Sequence, residues 1–558
     1  MAAWCGQGDG YLALTVNVAV TAGLMQASKS LGDGSGSLKD LFTKFPIMSS
    51  VSGSSWYMAS LLYSEKFVKL QEEVAAAKSD AGKVFHNGWV DKEYRPKGAS
   101  IASIVWAKIL EAAGDNMNYG VLISTILENN KLTNITWLQY IEVLLSHTAG
   151  IEPSKPLGST DVPSWGLSKT WLCNVSVVAP AADTKSMLWK GKPLYQSHVS
   201  YSTTNTALPV TPESALEKEY LPARFSVKVG AGVDSSSTLS YCATSVVNSS
   251  QLTLKYSGVE AGCLPWCCQD SFSSSAQLSN GISANFEKGA GHLSVSACTA
   301  ASSAFLYGLV AYAGDIEYDV ETLLNTQFIP SVSAGSEPAD AFTSAPKMLS
   351  DLSAGVTQSS IDALASGGVH WLADAGATDI SGIASAIAAG ATEVFAVFMQ
   401  PGVGLDAKSI PKVSVDGEAD ANEVLPNIAG VAPEIWALYM LCQGGTLPGG
   451  PVFAETYKDL RGKMEFFDLK QTVDSSPLTR QVFGSVKATT VSNKWFGIPP
   501  GLTINLSFVY VISSLGIGDS SSDTWNNYEQ LISDIVSTMS MPENEKLIQD
   551  KVLKGTFF

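Results

Sequence analysis

Phe45-Pro-Ile-Met-Ser-Ser-Val-Ser52-Gly53-Ser54-Ser55-Trp-Tyr-Met-Ala-Ser-Leu-Leu-Tyr63 reads as strand, tight turn and helix, with Met58, Leu61 and Leu62 apolar at helical spacing. A serine placed on such a turn needs small neighbours so that strand and helix can approach, and Ser50, Gly53 and Ser54 are small. The helix that follows directs its N-terminus at Ser52, where the positive end of its dipole favours developing negative charge. Taken alone the same turn also fits a helix N-cap.

Upstream, Gly6-Gln7-Gly8-Asp9-Gly10-Tyr11 opens an almost wholly apolar helix expected from about Leu12 to Ala27. Glycines at a helix N-terminus let backbone N–H groups converge on an anion, either a phosphate or an oxyanion. A dinucleotide fingerprint survives only through Ala13 at its third glycine position, and no acidic residue closes a βαβ unit about twenty residues on. Downstream, Gly368-Val-His-Trp-Leu-Ala373 leads into Asp374-Ala375-Gly376. Ile380, Ile383 and Ile387 then mark one face of a short helix that Gly390 could end, and Glu393–Met399 reads as the next strand. An aspartate at the carboxyl end of a core strand is where open α/β sheets place functional groups, although an Asx-turn accounts for the same residues. His370 fits a strand side chain.

The whole chain sets the limits on function. Its 558 residues, 45% hydrophobic and 16% charged, can bury an extensive core. Thirty-five basic against fifty-two acidic side chains give a net charge of −17, which opposes nucleic-acid binding through general electrostatics. The amino terminus as given shows no basic region followed by an apolar run, so no signal peptide is expected. The apolar stretches Tyr11–Ala27 and Leu502–Ile517 are interrupted by Asn17 and Asn505, so no membrane span is expected either. The sequence assigns no compartment. Eight cysteines lack paired zinc-site spacing, and Cys263, Cys267 and Cys268 form the one cluster, read as buried small residues or a local disulfide rather than a metal site. No metal and no cofactor are expected.

Residues 64–165 look mainly helical, with periodic stretches at Ile101–Ala113 and Trp137–Leu145. Residues 166–294 are β-rich, with runs such as Phe225–Val229 and Leu252–Tyr256, and residues from 295 return to alternating helix and strand. The expectation is a single discontinuous domain over 1–558: a three-layer α/β/α core from about 1–65 and 295–530 with a central mixed, mostly parallel sheet. It carries a helical insertion over about 64–165 and a β-rich lid over about 166–294. Ser331–Pro346 is the candidate linker.

Together the Gly-rich turn, the Ser52-Gly53-Ser54 elbow, the small-residue segment Ala297–Ala304 and Asp374-Ala-Gly-Ala-Thr-Asp-Ile-Ser-Gly382 resemble, in order, the patatin-like and cytosolic phospholipase A2 catalytic superfamily. The elbow helix is most similar to the phospholipase A2 and lysophospholipase B branch. The resemblance implies a lipid acyl hydrolase with Ser52 as nucleophile and Asp374 as its base, needing no histidine. The implied oxyanion hole lies in the loop Gly8-Asp9-Gly10, through the amides of Asp9 and Gly10, with Gly53 contributing from the elbow. The implied substrate is a phospholipid or lysophospholipid. Membrane contact would then rest on apolar segments within 100–145 and at Leu264-Pro265-Trp266, since the charge balance is acidic. The chain departs from the pattern at Leu12, where the family has arginine, at Asp9 and Ser50, where it has glycine, and at Ala375. These departures motivate a second expectation, an inactive relative serving as a scaffold for a protein partner.

Overall fold

The computed structural model describes residues 1–31, 36–90, 137–179, 188–189, 192–193, 219–230, 238–241, 252–257, 271–278, 282–286, 294–303, 371–400, 435–443, 450–470, 479–493, 496–513 and 524–554. The expected helix 101–113, Leu264-Pro265-Trp266, the Cys263/Cys267/Cys268 cluster, the 331–346 linker and His370 lie outside these residues.

At the centre lies β1 (Ala2–Gly6), flanked by β2 (Ile47–Ser50) and β12 (Glu393–Gln400), both parallel to it. β3 (Thr170–Ala179) pairs parallel with β2, and β15 (Thr503–Ser513) pairs parallel with β12, so five parallel strands run β15-β12-β1-β2-β3. On one flank β14 (Thr479–Thr489) and β13 (Glu465–Asp468) add antiparallel. On the other, β6 (Glu219–Lys228), β7 (Thr238–Tyr241), β10 (Ile282–Phe286), β9 (Ser271–Leu278) and β8 (Leu252–Ser257) continue the same sheet antiparallel. The short β11 (Trp371–Asp374) pairs antiparallel with β3, bringing Asp374 opposite Val175. A separate two-stranded ladder joins β4 (Leu188–Trp189) and β5 (Lys192–Pro193).

Helices cover both faces of the sheet. The fold is α/β, as the alternation of elements leads one to expect. Two helices, α1 (Gly10–Lys29) and, after the short α2 (Leu38–Phe42), α3 (Gly53–Tyr63), lie on the face of Gly6, where a Cβ would meet Ser54 Cβ at 2.8 Å and Asn17 Oδ1 at 3.4 Å. The opposite face carries a short helix, Ile383–Ala388, entered at Gly382, whose carbonyl accepts from Ser49 Oγ at 2.8 Å.

By length and composition α1 qualifies as a membrane-crossing helix, which corrects the expectation that no segment does. In this fold it is buried all round, which is why it lacks a polar face. Most of its interior polar atoms find partners within the protein: Asn17 Nδ2 donates to Ala13 O at 2.7 Å, and Thr21 Oγ1 accepts from Tyr57 OH at 2.7 Å, while Asn17 Oδ1 is buried without one. The helix Thr524–Met539 packs so closely that a Cβ on Gly23 would lie 2.5 Å from Met539 Sδ. The expected strands Phe225–Val229 and Leu252–Tyr256 appear as β6 and β8, and the expected helix at Trp137–Leu145 runs Trp137–Ala149.

Candidate active site

The carboxyl ends of β1 and β2 open into two turns that touch each other. After β2, Ser52 takes φ 53° and ψ −127°, a conformation that a side chain adopts only under constraint from its surroundings. The constraint is visible in the neighbours. Ser54 Oγ accepts from Val51 N–H at 2.8 Å and lies 2.7 Å from the carbonyl oxygens of Gly6 and Val51, tying the turn to the end of β1. Glycine is required at 53, because a Cβ there would sit 1.8 Å from the Gly10 carbonyl oxygen. At Gly8 a Cβ would meet Ser52 Cβ at 2.8 Å. The glycines thus allow the β1–α1 loop to lie directly against the elbow.

Ser52 Oγ donates to Asp374 Oδ2 at 2.5 Å, across 322 positions of sequence. The other carboxylate oxygen, Oδ1, accepts from Gly376 N–H at 2.8 Å, so the Asx-turn and the contact with Ser52 use different oxygens of one side chain. Ser176 Oγ on β3 donates to the Asp374 carbonyl at 2.9 Å and lies 3.0 Å from Thr378 Oγ1. Burial pushes the Asp374 carboxyl up to about 6, against the pull of the hydrogen bonds from Ser52 and Gly376. A carboxylate with that value is ionised for most of the time near neutral pH, yet it is a better proton acceptor than a free aspartate.

Behind the elbow runs a chain of buried hydroxyls. Ser52 N–H donates to Ser302 Oγ at 3.1 Å, and Ser302 Oγ lies 2.8 Å from Ser55 Oγ. Ser55 Oγ donates to Ser50 Oγ at 3.0 Å, which also accepts from Trp171 Nε1 at 2.9 Å. Ser50, one of the departures from the family pattern, is thus a link in this chain. Ser302 ends the helix Val295–Ser302, within the small-residue segment singled out in the sequence. Its partnership with the elbow had no local signal, because its partners lie about 250 residues away.

The turn after Asp374 is built around Asp379. Its carboxylate accepts from Ser381 N–H at 2.9 Å, Ser381 Oγ at 2.5 Å and Ala384 N–H at 2.9 Å, and burial raises its pKa despite these bonds. Asp379 was quoted in the motif without a role; here it fixes the loop that brings the Ile380 carbonyl to Gly8. The Asp-Ile-Ser-Gly pattern before an apolar helix was the available clue.

The expected oxyanion residues divide. Gly8 N–H is committed to Ile380 O at 2.9 Å, so its role is steric. The amides of Asp9, Gly10 and Gly53 make no hydrogen bond to any described residue. Gly10, at φ +48°, has open space where its Cβ would be. The loop is anchored by Gln7, whose Nε2 donates to Met399 O at 3.0 Å and whose Oε1 accepts from Met399 N–H at 3.3 Å. Tyr11 packs edge-on against Trp56 at 5.0 Å between ring centroids and lies 6.0 Å from Trp89. Leu12 is buried in the core, so no charge stands there. Among the described residues, no three His, Cys, Asp or Glu side chains gather as metal ligands would.

No family model matches the sequence, and no curated protein matches it. Among solved structures, human GIVD cytosolic phospholipase A2 is similar, with a TM-score of 0.34 and 10% identity over 98% of this chain. The chain spans 62% of that one's length.

Proposed function

We propose that this protein is a serine hydrolase of fatty-acyl esters, with Ser52 as nucleophile and Asp374 as general base. One observation carries the reading: a serine held at positive φ on a strand-to-helix turn, its Oγ 2.5 Å from a buried carboxylate that itself hangs on a different strand. Attack forms a bond from Ser52 Oγ to the carbonyl carbon, passes the hydroxyl proton to Asp374 Oδ2 and moves the carbonyl π pair onto oxygen. Collapse expels the alcohol, which leaves with the proton held by Asp374, and water then releases the acid from the acyl-serine by the same route. The amides of Gly10 and Gly53 are the donors proposed for the oxyanion, with Asp9 N–H beside them. Losing one such donor costs about 2.7–4 kcal/mol of barrier. The lipid class, a phospholipid or lysophospholipid, follows from the motif resemblance.

The test is labelling by a fluorophosphonate with peptide mapping, and hydrolysis of a lipid ester panel. Ser52 is expected to carry the label. Ser52→Ala should abolish labelling and hydrolysis, and Asp374→Asn should slow both by roughly 10²–10⁴-fold with the fold retained. Asp9, a carboxyl inside the oxyanion loop, favours a second reading as an inactive scaffold; absence of label at Ser52 together with stable co-purification of a partner would establish it.

A further inference from the structure

β12 outruns β1 at the edge where the site lies. The register of the two strands ends at Gly6 opposite Val397, whereas β15 continues beside β12 as far as Gln400. In a parallel ladder each residue bonds to the two positions that flank its register partner. Gln7 keeps the first of these bonds, its N–H donating to Val397 O at 3.2 Å. Continued, the ladder would give the Met399 N–H to the Gln7 main-chain carbonyl and the Met399 carbonyl to the Asp9 N–H. Neither bond is made. The Gln7 side chain takes both Met399 groups instead, Nε2 donating to the carbonyl at 3.0 Å and Oε1 accepting from the N–H at 3.3 Å. A carboxamide offers the donor and the acceptor of a peptide unit, so this buried glutamine completes the sheet where the strand has left it.

The main chain is thereby free to turn toward the elbow. Gly8 N–H donates to Ile380 O at 2.9 Å, a Cβ on Gly8 would meet Ser52 Cβ at 2.8 Å, and the Gly10 carbonyl lies against Gly53. Asp9 N–H, the group the ladder would have consumed, makes no hydrogen bond to any described residue. Asp9 Oδ2, sealed from solvent in a partly exposed residue, has no hydrogen-bond partner and holds nothing in place.

We propose that Gln7 is a positioning residue of this site: by occupying Met399 in place of the main chain, it keeps the Asp9 N–H off the sheet and available to an oxyanion formed at Ser52. The proposal rests on the ester-hydrolase reading above and adds a residue that acts through the loop rather than on the substrate. Its effect belongs to the transition state, where charge gathers on oxygen, and not to substrate binding. With an apolar side chain at position 7, Met399 is left with an unpaired N–H and carbonyl. The main-chain carbonyl of residue 7 and the Asp9 N–H are the groups that can pair them, and that pairing withdraws the donor from the site.

The test compares the full wild-type chain with Gln7→Met, which keeps the length of the side chain and removes both polar groups. The measurements are p-nitrophenyl butyrate kinetics, the rate of fluorophosphonate labelling at Ser52, thermal melting, and hydrogen exchange resolved at the Asp9 amide. Folded Gln7→Met is expected to lose about 10²-fold in kcat and in labelling rate, with KM within about threefold of the wild type. Its Asp9 amide should exchange about tenfold more slowly, because Met399 then accepts it, whereas a loop that had only loosened would exchange as fast or faster. In the wild type, the phosphonate adduct at Ser52 should slow the same amide, then bonded to the phosphoryl oxygen. A folded variant with kcat within about threefold of the wild type overturns the proposal, as does a loss carried in KM. An Asp9 amide that exchanges unchanged or faster in the folded variant overturns it too. A wild-type amide that the adduct leaves unchanged overturns it even if the variant does not fold. In each of these cases Ser52 labelling in the wild type leaves the hydrolase reading standing; wild-type protein that neither labels nor hydrolyses overturns both.

Discussion

The carbonyl oxygen of Gly10 lies against Gly53 so closely that a methyl group on residue 53 would be 1.8 Å from it. The loop after the first strand and the elbow after the second are therefore one unit, and the width of the proposed oxyanion hole is set by that contact. Gly53→Ala is expected to push the loop away, destabilise the protein by about 1–3 kcal/mol and abolish fluorophosphonate labelling. Gly462→Ala, at an exposed helix end where a Cβ meets nothing within 4 Å, should instead be neutral or stabilising by up to about 1 kcal/mol. Comparing denaturant midpoints of the two variants checks the contrast; equal midpoints would refute it.

Backbone strain at Ser52 can be read separately from its hydroxyl. Ser52→Gly and Ser52→Ala both remove the hydrogen bond to Asp374, but glycine alone tolerates φ 53° without a Cβ penalty. The glycine variant should be the more stable by about 1 kcal/mol or more. If the two unfold at the same denaturant concentration, the turn is not strained.

Ser302 and Ser296 sit in one helix with opposite expectations. Ser302 Oγ accepts the Ser52 amide, so Ser302→Ala leaves a buried N–H unpaired and should cost about 1–3 kcal/mol. It should also lower kcat with little change in KM, because it disturbs the turn rather than substrate contacts. Ser296 Oγ is buried with no partner, so Ser296→Ala should be neutral or stabilising. Equal losses in the two variants would mean that the hydroxyl chain does not position the elbow.

Asp9 also sets a pH dependence of stability that is independent of turnover. Its folded value is raised from 3.8 to about 7. Below 3.8 the carboxyl is protonated in both states and there is no penalty. As pH rises toward 7 the unfolded chain releases its proton first, so the folded state binds more protons and stability falls; above 7 the loss is complete. Asp9→Asn should therefore raise stability at pH 8 by about 1–3 kcal/mol, after allowance for solvent screening at this partly exposed residue, and change it little at pH 4. Thermal melts at the two pH values give the answer, and a gain equal at both would count against the sealed carboxyl.

Much of the site was written locally. Strand, small residues and an apolar helix within nineteen positions showed the elbow at Ser52, and an aspartate followed by a glycine at the end of an apolar run showed Asp374. The helix beginning at Gly10 and the strand at Glu393–Gln400 followed from hydrophobic patterning. Long-range pairing stayed hidden. Nothing near Ser302 shows that it will accept the Ser52 amide, nothing near Gln7 that it will clasp Met399, and nothing in β6 that it will extend the same sheet beyond β3. The sealing of Asp9 Oδ2 from solvent was equally illegible, because an aspartate between glycines usually belongs to an exposed turn.

The central position of β1 has a consequence for how the protein is made. One edge of that strand pairs with β2 at residues 47–50, but the other waits for β12, which begins 387 residues after Gly6. At ribosomal rates this is a delay of roughly 20–80 s, during which that edge of β1 lacks the backbone hydrogen-bond partners β12 will supply. The serine therefore meets its carboxylate only after the 322 positions that separate them have been synthesised.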